Sequence, residues 1–205
     1  MRIVLAILAM VISTCALAQE KPDYNKFNVF ISGGLGFGKV KCKNQPNYNL
    51  NSNNAQILIN YKFSPIYGVA TGINYAKMSG NGFNTMGDFY NNRTSLKIPL
   101  LFTLGGVFNS KYSLDFHIGP YAQKATHDEF TYIDFRQKNV YTDWNYGLHI
   151  GLHFLYKIDE HIGFGVHYMG MSDLTTIEAS GGLANPDKQL TEKQNSVGFS
   201  TQFSF

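Results

Sequence analysis

An eight-stranded antiparallel transmembrane β-barrel, up-and-down and preceded by a cleavable signal peptide, is the fold class that the 205-residue sequence predicts. Three observations predict it. From Trp144 to Ile158 every even position is apolar or aromatic, while the odd positions hold Asn145, Gly147, His149, Gly151, His153, Leu155 and Lys157. A period of two is the mark of a strand with one greasy and one polar face. The run outlasts the roughly 5–6 residues of an ordinary globular strand and suits the roughly 9–11 tilted residues of a membrane-crossing one. The same alternation recurs along the chain, and the connections alternate between short and long, as they do in outer-membrane barrels.

Residues 1–18 read as the signal peptide. Met1-Arg2 supplies the positive start, Ile3 to Ile12 an apolar stretch too short to span a bilayer as a helix, and Ala16-Leu17-Ala18 a small-residue cleavage site. The rival, acylation at Cys15, is disfavoured by Thr14 before it. Residues 19–205 then form one barrel domain. Its greasy faces begin with Phe27, Val29, Ile31, Leu35 and Phe37, followed by Ile57, Ile59, Tyr61 and Phe63. Tyr67, Val69, Ile73 and Tyr75 form the third, and Leu96, Ile98, Leu100, Phe102 and Leu104 the fourth. Tyr112, Leu114, Phe116 and Ile118 form the fifth, the Trp144 run the sixth, and Ile162, Phe164, Val166 and Tyr168 the seventh. Val197, Phe199, Thr201, Phe203 and Phe205 close the set. Ser64-Pro65-Ile66, Gly106 to Ser110 and Asp159-Glu160 are the short turns. Lys39 to Asn54, Ser79 to Asn92, Lys124 to Tyr141 and Asp173 to Lys193 are predicted as long polar loops. Short turns and both termini would face the periplasm, and the long loops the cell exterior.

Composition narrows the function classes. Lys and Arg total 17 against 14 Asp and Glu, and the loss of Arg2 with the signal leaves an excess of two, too little to argue for nucleic acid. The mature chain keeps one cysteine, Cys42, expected as a solvated loop residue. Its expected partners are outer-membrane lipid and an envelope protein, with the barrel itself a monomer. A soluble, lipocalin-like ligand-binding barrel would turn the greasy face inward, but its outer wall would then be Gly147, Gly151, Gly163, Gly165 and Gly198, residues that suit a crowded interior better.

The inferred lumen face holds Asn60, Lys62, Asn74, Tyr121 and Asn145 together with a polar cluster of Lys97, Asp115, His117, His149, His153 and His167. These six are expected to hydrogen-bond into a plug, since buried polar groups need partners. Histidines without a cysteine or a carboxylate pair are a weak metal signal, so no metal or cofactor is expected. If Lys157 faces His161 across the Asp159-Glu160 turn, His153 faces Gly165 and His167 faces Gly151, leaving the two imidazoles diagonal. His127, Asp128 and Glu129 in the third long loop, with Ser79 and Ser172 near the rim, have the chemistry of a hydrolase but nothing that fixes them together. No catalytic site is expected, and the long loops are the natural place for binding.

The terminal Phe205 on an alternating strand resembles the C-terminal signal read by the outer-membrane assembly machinery. Leu96-Lys97-Ile98-Pro99-Leu100-Leu101, Gly119-Pro120-Tyr121 and Tyr168-Met169-Gly170-Met171-Ser172-Asp173-Leu174-Thr175 resemble, in order, the PorT-type outer-membrane β-barrel family of Bacteroidota. Ser95-Leu96-Lys97 departs from the family's usual Tyr-Leu-Glu run. The resemblance implies an outer-membrane barrel. It also implies, as a second possibility, an accessory of type IX protein secretion, although one fold hosts many functions.

Overall fold

The computed structural model describes residues 24–42, 45–108, 111–141, 143–178 and 189–205. The signal peptide expected at residues 1–18 lies outside the described residues. Ten strands form one antiparallel sheet: β1 (Phe27–Cys42), β2 (Tyr48–Lys62), β3 (Tyr67–Asn84), β4 (Gly87–Phe108), β5 (Tyr112–Thr131), β6 (Arg136–Lys138), β7 (Trp144–Lys157), β8 (Ile162–Asp173), β9 (Ile177–Glu178) and β10 (Gln189–Ser204). The short β6 and β9 are flaps on β5 and β10; the other eight close into a barrel through β1 and β10. Closure removes every edge, the condition for a sheet to sit in lipid. From Phe27 the ladder runs through Tyr61, Val69, Phe102, Ile118, Ile150, Gly170 and Asn195 and returns to β1 at Phe37, ten residues further on. With eight strands that stagger tilts each by about 40°, inside the usual range.

The alternation is realised side chain by side chain. Along β7 the even positions are exposed and the odd ones buried, down to a half-buried Lys157 at the end. Leu35, Ile57, Ile73, Leu100, Ile150, Val166 and Phe199 all stand on the outer wall. The greasy face is therefore outside, which excludes the lipocalin-like arrangement. Tyr156 and Tyr146 bound this band on β7, and the ten tilted residue steps from one to the other span roughly 25 Å, the height of a lipid-facing belt.

Three expectations are corrected. The predicted long loops are in large part strand. β1 runs on to Cys42, β2 begins at Tyr48, and β3 and β4 are joined at Thr85-Met86. That tip is tight because Asn84 Oδ1 accepts the Met86 N–H at 2.8 Å and Gly87 takes φ 114°, a conformation costly for any residue with a Cβ. Asp128 and Glu129 accordingly lie on β5 and not in a loop. Cys42 is half-buried at the end of β1, against an apolar cluster, and is not a solvated loop residue. The third correction is a register. His153 pairs directly with His167, and Lys157 with Gly163. The side chain of Asp159 makes the difference: its Oδ1 accepts the N–H groups of both His161 and Ile162 at 2.7 Å, and Ile158 N–H bonds Ile162 O. This widened turn moves the pairing by two residues while keeping each face in phase.

Candidate functional site: a plugged lumen under a sealed rim

At the short-turn end the lumen opens as a vestibule of about 710 Å³, lined in part by Asn28, Lys62, Ser113, Asp115 and Lys157. Lys62 Nζ lies 3.9 Å from Asp115 Oδ1. Above it, Phe30, Leu58, Ala70, Leu101 and Leu155 cross the lumen as an apolar cluster. The Phe30 ring packs at 5.1 Å on His117 and 5.0 Å on His153. His117, His153 and His167 form a row, with ring centroids 4.7 and 5.5 Å apart. His153 Nδ1 sits 3.0 Å from Ser200 Oγ.

The upper lumen is charged and tightly paired. Lys97 Nζ donates to Glu192 Oε1 at 3.1 Å and to Gln194 Oε1 at 2.8 Å. Arg93 Nε donates to Asp128 Oδ1 at 3.0 Å, and Arg93 Nη1 lies 3.6 Å from Glu192 Oε2. Asp173 accepts from Tyr121 Oη at 2.6 Å, from Gln123 Nε2 at 3.1 Å and from the Glu192 N–H at 2.8 Å. Tyr121 reaches across because Gly147 has no side chain; a Cβ there would come within 2.4 Å of the ring. Arg93, Lys97, Asp128 and Glu192 are all at most 2 % exposed. Charges so deep are tolerable only when paired, and here three strands contribute to each network.

Beyond this layer the pattern inverts. Val40, Tyr48, Leu50, Met78, Phe89, Phe130, Tyr132, Tyr141, Ile177 and Leu190 point inward and pack into one cluster. Phe89 sits at its centre, with ring contacts to Tyr48, Phe130 and Tyr132. The space left beside it is about 20 Å³, no more than a water molecule or two could use. The outward neighbours are polar: Asn49, Asn51 and Asn53 on β2. Glu129 forms an outer ion cluster with Arg136 and Lys138.

The six residues predicted as one lumen cluster are all inside, at most 3 % exposed. They do not form one network. Asp115 belongs to the vestibule, His117, His153 and His167 to the middle, and Lys97 to the upper charges. Burial of His149 is complete, and neither of its ring nitrogens, nor those of His117, has a hydrogen-bond partner among the described residues. Asp128, Glu192 and Asp173 fall in the stretches that the sequence marks as loops, and Arg93 lies between one such stretch and the fourth greasy face, so none of the four belongs to the predicted lumen set. The signal was present for Arg93 and Glu192: Arg93, Ser95 and Lys97, like Glu192, Gln194 and Ser196, extend the lumen alternation upward. No group of three or more His, Cys, Asp or Glu among the described residues is placed to hold a metal ion. The hydrolase-type residues do not form a triad: Asp128 is buried against Arg93, while Glu129 faces out with His127 Nε2 3.6 Å from its Oε2.

Residues 17–175 match the model of a family described as outer membrane protein beta-barrel domain. No curated protein matches the chain. Among solved structures it is similar to the outer membrane protein OprG from Pseudomonas aeruginosa, at 15% identity and TM-score 0.54, over 89% of this chain and 98% of that one. It is also similar to Neisserial surface protein A, at 10% identity and TM-score 0.51, over 87% and 97%. At such identities the likeness is one of fold.

Proposed function

The chain belongs to the outer membrane protein beta-barrel domain family, and from that premise we propose a non-conducting, non-enzymatic barrel whose rim is a rigid platform for contacts at the cell surface. The observation that carries this reading is the apolar seal: the strands run past the lipid belt and fill their own mouth with side chains from Val40 to Leu190. A pore would keep that mouth wet and polar. A platform gains from filling it, because an ordered rim binds at lower entropic cost than long mobile loops. The rim presents Asn49, Asn51, Asn81, Asp88 and Tyr90 outward from β2, β3 and β4. In this reading the short-turn end and both termini face the periplasm, and no cofactor is needed.

Our finer family reading is the PorT type. It is supported by the way its two short motifs meet. Pro99 pairs with Tyr121, and the β4–β5 ladder is interrupted at Leu100-Leu101 and Gly119-Pro120, where each proline lacks an N–H. Two measurements test the proposal. Purified protein in planar bilayers at pH 7 should show no steady porin-sized conductance. Single cysteines at Asn81 and at Glu160, in a Cys42→Ser background, should label on intact cells at position 81 only. Steady large channels, or labelling at position 160 alone, would overturn it.

A further inference from the structure

Four strands carry a lysine as the first charged outward residue past the apolar belt: Lys39 after Phe37 on β1, Lys77 after Tyr75 on β3, Lys124 after Ala122 on β5, and Lys193 past Asn195 on β10. Lys39 and Lys193 are direct cross-strand partners. Lys41 stands two residues further along the same face. Like charges placed directly opposite on a ladder repel and are normally selected against. The outward residues of β1, β2, β8 and β10 include no carboxylate among the described residues to relieve them. Lys124, on the far wall, differs: its Nζ sits 5.8 Å from the Trp144 ring.

Below the lysine pair, on the same seam, the wall is hollow. Gly33, Gly34 and Gly198 leave a groove of about 900 Å³ between Leu35, Phe199, Phe154 and Tyr168. Its lining is mainly apolar, with Asn53, Asn54 and His167 at its edges, and it faces the lipid side. Between groove and lysines lie Asn195 and the Tyr168 hydroxyl, hydrogen-bonded at 2.7 Å. From the belt outward the seam therefore runs apolar groove, polar step, three cations. That is the order of acyl chain, glycerol or sugar backbone, and phosphate in an amphiphile.

We propose that the β1–β10 seam is a binding site for one phosphate-bearing lipid of the outer leaflet, its phosphate bridging Lys39 and Lys193 with Lys41 beside it, and an acyl chain lying in the groove over Gly33. An anion between the two ammonium groups turns their repulsion into two attractions, and long lysine stems can bend up to the headgroup level. The occupant is set by position: a soluble anion would have no use for the groove, and a protein partner would have to enter the lipid belt. The site rests on the long-loop end facing outward, as proposed above.

The test is titration of detergent-folded protein, followed by native mass spectrometry, with a diphosphorylated lipid A-type glycolipid, phosphatidylcholine and inorganic pyrophosphate. The expected result is one tightly held glycolipid, with phosphatidylcholine and pyrophosphate much weaker. Affinity should fall about tenfold or more in Lys39→Gln/Lys193→Gln and stay unchanged in Lys124→Gln. Gly33→Phe should weaken the glycolipid as well. That variant is expected to fold, since a Cβ at Gly33 meets only Asn54 O at 3.7 Å. Equal binding by the double lysine variant, an equal loss in Lys124→Gln, or pyrophosphate binding as tightly as the glycolipid would each overturn the proposal. The titration is done in detergent and does not depend on orientation in the cell, so its failure is separable from failure of the cell-surface reading.

Discussion

Within one closed ladder, the lipid belt and the rim above it obey opposite rules. In the belt, Ile150 on β7 points out and His149 and Gly151 point in. In the rim, Leu50 on β2 points in and Asn49 and Asn51 point out. Both regions keep the period of two, and both satisfy the backbone through the same antiparallel pairing. What differs is the outer medium. Lipid rewards an apolar wall and leaves the polar side chains to find partners inside, whereas water rewards a polar wall and drives the apolar ones inward. The Arg93–Asp128–Glu192–Lys97 layer lies near the changeover, with the histidine row below it and the Phe89 cluster above.

The comparison breaks most directly at its two buried layers. Phe89→Ala should cost about 3–5 kcal/mol, because it hollows the centre of the rim cluster. Arg93→Leu should cost a similar 3–5 kcal/mol by leaving Asp128 buried beside no cation. Urea unfolding of the barrel in lipid vesicles measures both, and adding Asp128→Leu to Arg93→Leu should recover part of the loss. A Phe89→Ala variant as stable as the wild type would mean that the rim is not a packed core.

Outward charge separates the two regions by the same measurement. Ile150→Arg in the belt should lose about 2–4 kcal/mol, whereas Asn51→Arg, equally outward but in the rim, should stay within about 0.5 kcal/mol. Equal costs would erase the boundary between belt and rim.

Cys42 gives a smaller, kinetic reading of the rim. Burial pushes its thiol up, and the Arg93 charge only partly opposes this. Alkylation near pH 7 should therefore be slower than for a free thiol, since the thiolate is the reactive form. Arg93→Leu should slow it further if the rim stays packed; a faster rate would report that the rim has opened.

Asp159 at the short-turn end carries the smallest effect. The N–H groups of His161 and Ile162 hold its carboxyl below the usual range. A depressed folded value stabilises the fold above the unfolded value near 3.9, and that contribution is lost as pH falls through the folded value. Asp159→Asn should therefore lower stability slightly at pH 7 and not at all below the folded value, so that the acid-side slope of urea unfolding against pH flattens; an unchanged slope would remove this contribution.

Much of this was legible in the sequence, and the physical reason is lipid. Alternation in the belt is strict because an outward polar residue there is costly, so the eight greasy faces, their order and the lumen position of His117, His149, His153 and His167 follow from counting by two. The rim hides from the same count because its alternation is the reverse and its outward faces are rich in Asn, a residue type of turns and loops. Its strand signal is the inward set, Tyr48 and Leu50 on β2 and Phe89 on β4, which keeps the same period of two.

Sequence by itself determined the eight strands, the lipid-facing wall and the inward phase of Lys97 and the histidines, because these depend on each strand's own pattern against a uniform medium. Pairing between strands was decided only by the tertiary structure. The Asp159 turn set His153 opposite His167. On β5, Ala125 pairs with Ser95 but His127 with Thr94, so Thr126 is bulged out. That single extra residue switches the inward phase from odd at Gln123 to even at Asp128 and brings the carboxylate to Arg93. A bulge of this kind is a property of two strands held at a common tilt, and no period within one strand announces it.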